Sequence, residues 1–200
     1  PRGNIERLAF NGAGYVTTNT YGLGLSEQQS YSLQRDTTTN QVTSVTDALG
    51  RVTGYTYDSM GNLTSVIRMQ GSSQAVTDSY TYDPTFNQLT SHTDGLSHTT
   101  NYSDDNLGRL TQITDPLGNA VKFTSDSQGR VTQITDPIGA NTALSYSFAD
   151  LVSISDPLGR TASYFTDSAG RILAITDAVG RRTLMDYDAL DRKTKVTDPL

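Results

Sequence analysis

The chain is 200 residues long, acidic at a net charge of −6, and only 34% hydrophobic. That charge offers no basic stripe for phosphates, which disfavours nucleic acid as a partner. No run of 18 apolar residues is present to form a membrane-spanning helix, and the lack of cysteine excludes disulfides and thiolate metal sites.

Residues 1–40 carry little pattern, although Gly12-Ala-Gly-Tyr15 and Tyr31-Ser-Leu-Gln-Arg-Asp36 read as degenerate strands. From Asp47 onward an aspartate ladder takes over: Asp58, Asp83, Asp94, Asp105, Asp115, Asp126, Asp136, Asp156, Asp167, Asp177, Asp188 and Asp198. Most gaps are 10 or 11 residues, so the full unit is about 21; the gaps of 25 and 20 mark a stretched or lost rung. A fixed period of this length is the signature of a repeat architecture.

Each rung has turn chemistry. In Asp136-Pro137-Ile138-Gly139 the aspartate bonds its own backbone two residues on, proline presets φ, and glycine in fourth place accepts positive φ. A type I turn followed by a left-handed glycine closes a hairpin. Between rungs lie short runs rich in Thr, Val, Ile and Tyr, such as Asn119–Thr124 and Arg130–Thr135, which are strand formers. No ten-residue segment has an apolar face of helical period.

The expected fold is therefore all-β, an antiparallel meander with about 21 residues per two strands. One edge carries the turns at Asp47, Asp94, Asp115, Asp136, Asp156, Asp177 and Asp198. The other carries those at Asp58, Asp83, Asp105, Asp126, Asp167 and Asp188. Arg68 to Thr77 and Asn141 to Leu151 are where a loop should lengthen or a hairpin shorten. About fifteen strands at about 4.8 Å spacing run to about 70 Å. Open sheets rarely pass about ten strands without curling, so the ribbon is expected to curl into part of a hollow shell.

The facing of each strand is open at this level. In Leu110-Thr-Gln-Ile113 and Val131-Thr-Gln-Ile134 the apolar pair is three apart, which alternation places on opposite faces. Either a bulge beside the glycine restores one face, or both faces are partly covered. Tyr55, Tyr102, Phe123 and Tyr164 each precede their turn glycine by six residues and are expected to stack as a cross-strand file.

Tyr57-Asp-Ser-Met-Gly-Asn-Leu-Thr-Ser-Val66 follows Y-D-x-x-G-[RN]-L-T-x-[VI], and Asp105 to Gly118 continues that pattern into T-D-P-L-G. Tyr82-Asp-Pro-Thr-Phe-Asn-Gln-Leu-Thr90 is a variant, and nine D-x-x-G rungs fall in register. The chain resembles the Rhs/YD-repeat proteins, a group that includes bacterial polymorphic toxins, the B and C components of Tc toxin complexes, and teneurins. The resemblance covers residues 41–200, with 1–40 a degenerate or N-terminal region. The ending Thr197-Asp-Pro-Leu200, one residue short of a turn glycine, reads as an excerpt of a longer array.

What the resemblance implies is a secreted or delivered shell segment that encapsulates a C-terminal toxic domain. Its partners would be the rest of its own shell, the toxin cargo and secretion-system or toxin-complex components. The family's boundary motif, P-x(4)-D-P-x-G-L, with its autoproteolytic aspartate, is absent from this sequence.

No catalytic, cofactor-binding or metal-binding residue is assigned, and no cofactor or enzymatic activity is expected. His92 and His98 read as surface residues. The aspartates read as turn caps rather than calcium ligands, since the G-G-x-G-x-D spacing of the β-roll is missing. The arginines after the turn glycines (Arg51, Arg109, Arg130, Arg160, Arg171, Arg181) are expected to pair with acidic neighbours on the wet face. A surface adhesin or carbohydrate-binding array, with the aromatic file facing solvent, is the competing reading. A carboxylate-pair glycan enzyme is weaker, because nothing separates the pKa values of two turn aspartates.

Overall fold

The computed structural model describes residues 5–199; the start of the 1–40 region, residues 1–4, and Leu200 at the end of the ladder lie outside it. Every regular element among the described residues is a strand. In chain order these are β1 (Arg7–Phe10), β2 (Val16–Tyr21), β3 (Gln29–Arg35), β4 (Val42–Thr46), β5 (Val52–Tyr57), β6 (Leu63–Arg68), β7 (Val76–Tyr82), β8 (Leu89–Thr93) and β9 (Thr99–Asp104). There follow β10 (Leu110–Thr114), β11 (Ala120–Ser125), β12 (Val131–Thr135), β13 (Asn141–Ser147), β14 (Asp150–Ser155), β15 (Thr161–Thr166), β16 (Ile172–Thr176), β17 (Arg182–Tyr187) and β18 (Lys193–Thr197).

The chain forms two compact units, Pro1–Asn101 and Tyr102–Leu200, the division falling inside β9. In the first unit each strand from β1 to β8 pairs antiparallel with the next. In the second, β10 to β18 do the same. This is the expected antiparallel meander, with turns at the aspartates of the ladder from Asp47 to Asp188. Gly118, Gly139 and Gly159 have φ of 87°, 88° and 77°. The 25-residue gap holds a lengthened loop after Met69; the 20-residue gap holds a hairpin shortened to the two-residue turn Phe148-Ala149.

The register explains the three-residue apolar spacing. Thr124 pairs with Gln133 but Ser125 pairs with Val131, so Thr132 is left out of the ladder. The bulge returns Val131 to the face of Ile134. The same skip sets Leu63 with Val66 and Ile172 with Ile175. These bulges recur beside the turns of one edge only, the edge of Asp58, Asp126 and Asp167. We call that edge the bulged rim and the other the plain rim.

One face thus carries apolar cross-strand pairs: Leu33–Val45 and Tyr55–Val66 in the first unit, and Phe123–Ile134, Leu144–Ile154, Tyr164–Ile175 and Met185–Val196 in the second. The expected aromatic stack is not formed. Tyr55, Phe123 and Tyr164 share the apolar face, but each pairs with a β-branched residue. Phe123 on β11 and Tyr164 on β15 stand four strands apart, about 19 Å, with Ile134, Leu144 and Ile154 between them.

The opposite face is hydroxyl- and amide-rich. Thr56 lies 2.8 Å from Thr64 and 2.7 Å from Ser65, and Thr81 repeats the arrangement with Thr90 and Ser91. Within each unit, nearly every described side chain keeps some exposure to solvent. Ala174, between Phe165 and Leu184, is the sole fully buried hydrophobic among the described residues.

Candidate functional site

The Asp turn is the repeated unit from which any site must be built. At Asp105, one carboxylate oxygen accepts the N–H groups of Leu107 (2.9 Å) and Arg109 (3.0 Å). The other accepts the Arg109 guanidinium at 2.7 and 2.6 Å. Gly108 N–H donates to Asp105 O and Asp105 N–H to Arg109 O, a type I turn closed by a left-handed glycine. The pattern recurs at Asp47, Asp126, Asp156, Asp167 and Asp177, so the post-turn arginines pair with their own turn aspartate rather than with neighbours on a face. Asn62, Asn119 and His98 take the arginine's place at Asp58, Asp115 and Asp94.

These contacts act on titration in one direction. The Arg109 side chain, then its backbone N–H, hold the Asp105 carboxyl down at about 2. Asp167 is lowered by Arg171, and Asp58 and Asp115 by the amides of Asn62 and Asn119. No proton-donating carboxylic acid arises from such shifts near neutral pH. Among the described residues, no three metal-binding side chains converge.

The bulged rim has a second layer of contacts. Tyr57, Tyr82, Tyr146 and Tyr187 donate their hydroxyls at 2.9–3.0 Å to the carbonyls of Val42, Leu63, Val131 and Ile172, each the first residue of the preceding strand. Arg130 and Arg171 lie over the rings of Tyr146 and Tyr187, at 4.7 and 5.4 Å. Consecutive turns are tied together: Gln41 donates to Gly61 O (3.0 Å), Asn87 to Asn62 (3.0 Å), Arg109 to Asp126 O (2.7 Å) and Arg171 to Asp191 (2.6 Å), while Arg130 bonds Phe148 O. The tyrosine–aspartate dipeptide thereby has two jobs. The aspartate caps its own turn, and the tyrosine fastens the preceding one.

Of the histidines, His98 is exposed beside Asp94 (3.1 Å). His92 departs from its expected surface place. It occupies the apolar-face position held by Val66, Ile134 and Ile175 in other repeats, and stacks on Tyr80 with centroids 4.9 Å apart. Its Nε2 is buried without a hydrogen-bond partner. Tyr80, cross-strand to it, was the signal for this stack.

The RHS Repeat family model matches residues 37–73, 82–120 and 167–200, more than half of the chain. The chain belongs to the RHS repeat family. None of the curated proteins matches it. Among solved structures, the RHS chain is similar to TcdB2-TccC3 without its hypervariable C-terminal region, at 16% identity and a TM-score of 0.72, covering 96% of this chain and 12% of that one. TcdB2-TccC3 itself matches at 16% identity and a TM-score of 0.69, over 96% and 12% of the two chains. The Photorhabdus luminescens Tc holotoxin pore, with a substitution in TccC3, matches at 15% and 0.68, over 97% and 14%. At these identities the likeness is one of fold. The RHS segment spans about an eighth of the length of the solved chains.

Proposed function

We propose that this RHS segment is part of the wall of a hollow β-shell that encloses a C-terminal toxic domain. Residues 41–200 would be one repeat array and residues 1–40 its degenerate start. The observation that carries the reading is the partly exposed apolar face. Pairs such as Phe123–Ile134 and Tyr164–Ile175 lie half-buried on one face of the sheet. A sheet of this kind gains further stability when its apolar face meets other protein. Closure of a longer array around a passenger provides that cover. The fold shared with TcdB2-TccC3, solved without its hypervariable C-terminal region, supports the same reading.

In this role the segment carries no catalysis and binds no cofactor. Its partners are the rest of its own shell, the cargo and other toxin-complex components, and the whole protein is secreted or delivered. The test uses the full-length protein. A C-terminal passenger should resist added protease in the unaltered protein and become sensitive when Gly118, Gly139 and Gly159 are replaced together by valine. Equal digestion of both proteins would contradict enclosure and favour an adhesin whose apolar face meets an outside ligand.

A further inference from the structure

In the second unit the bulged rim is interrupted once. Arg109, Arg130 and Arg171 each reach from one turn to the next, but nothing comparable leaves the Phe148-Ala149 turn, because the lost rung removed both its aspartate and its arginine. The short bond from Thr166 to Asp150 (2.9 Å) is the link that remains between this turn and the turn at Asp167. Between them lies a notch of about 670 Å³, within the roughly 300–1,000 Å³ typical of ligand sites.

Its lining departs from the repeat in three ways. Phe148 is 95% exposed, with φ of +50°. Of the two loop residues it alone has positive φ, the pattern of a II′ turn whose first position favours glycine. A bulky side chain here is strained, and it gains no packing in return. Phe165 is 59% exposed at the repeat position held elsewhere by Thr56, Thr81 and Thr124, on the same face as Ala174 and Leu184. Asp150 forms no ion pair among the described residues, whereas the neighbouring Asp167 is neutralised by Arg171.

We propose that this notch binds a basic side chain, an arginine or lysine presented by an extended peptide. Two exposed aromatic rings attract a cation, arginine above all. An unpaired carboxylate beside them supplies its counter-charge and, for guanidinium, a two-point hydrogen-bond acceptor. An anionic ligand would meet Asp150, and a purely apolar one would desolvate it without a partner.

The probe is a labelled Arg-Gly-Arg-Gly-Arg-Gly peptide, titrated against the purified chain by fluorescence anisotropy at several salt concentrations. Saturable binding that weakens with salt is expected. Phe148→Gly should weaken it about tenfold while Tm stays equal or rises, because glycine suits the observed φ. Asp150→Asn should weaken it by a similar factor and flatten the salt dependence, and Asp136→Asn on the plain rim should leave it unchanged. The proposal is overturned by absent saturation, by unchanged binding in Phe148→Gly, by a lower Tm in that variant, by equal loss in Asp136→Asn, or by equal affinity for a Leu-Gly repeat peptide.

Discussion

The two rims are built from one turn and differ in what surrounds it. On the plain rim the Asp-x-x-Gly turn is self-contained. Arg51, Arg160 and Arg181 pair only with their own aspartates and are 57–66% exposed. On the bulged rim Arg109, Arg130 and Arg171 make the same pair but are 29–32% exposed, because each also reaches the next turn. Identical local chemistry is thus decorative on one edge and connective on the other. On the connective edge the strands bulge beside the turns, and Tyr146 and Tyr187, which lie under Arg130 and Arg171, bond the preceding strand.

Acid should affect both rims and gives the largest effect. The folded Asp105 titrates at about 2 against an ordinary 3.8, and Asp47, Asp167, Asp177 and Asp188 are also lowered. A depressed carboxyl contributes stability that is fully present above its unfolded pKa and disappears as pH falls through the folded one. Tm should hold from neutral pH to about pH 5 and fall steeply between about 4 and 2. Asp105→Asn should shallow that fall. A Tm independent of pH down to 2 would mean the turn carboxylates do not hold the fold.

On the plain rim, Gly139→Val places a β-branched residue at φ +88°, where an added Cβ meets no atom within 4 Å. Backbone strain alone should cost about 1–3 kcal/mol in a denaturant melt. The tie between turns is isolated by comparing Arg109→Gln with Arg160→Gln. The first removes the bond to Asp126 O and should cost about 1 kcal/mol, the second less than about 0.5 kcal/mol. Equal losses would erase the distinction between the rims. Smaller again, Tyr187→Phe should cost about 0.5–1 kcal/mol through its bond to Ile172 O, and Tyr164→Phe, whose hydroxyl makes no such bond among the described residues, should be silent.

Period and turn chemistry were legible because both are local. Aspartate, proline and glycine at fixed offsets determine a hairpin without reference to the rest of the chain. The bulge was legible as an alternative from the spacing of Val131 and Ile134. Asp36 was not recognised as a turn, although its carboxylate accepts the N–H groups of Thr38 and Thr39. Its left-handed residue is Asn40 in fifth place, not glycine in fourth, as Asn87 is after Asp83; the 11-residue gap to Asp47 was the available sign. The ties from Arg109 and Arg171 were hidden because they join residues 17 and 20 apart through a register set by pairing. The notch was hidden for the same reason: a missing rung shows in sequence as a gap, and only the paired strands show what that gap opens.

The central claim, that the apolar face is covered in the intact protein, is tested most directly by hydroxyl-radical footprinting of Phe123, Tyr164 and Leu144 in the 200-residue chain and in the full-length protein. These side chains should be oxidised several-fold more slowly in the full-length protein, while Leu117 and Ile138 on the plain-rim turn tips serve as exposed references in the isolated chain. Equal oxidation of Phe123, Tyr164 and Leu144 in both proteins would contradict the wall.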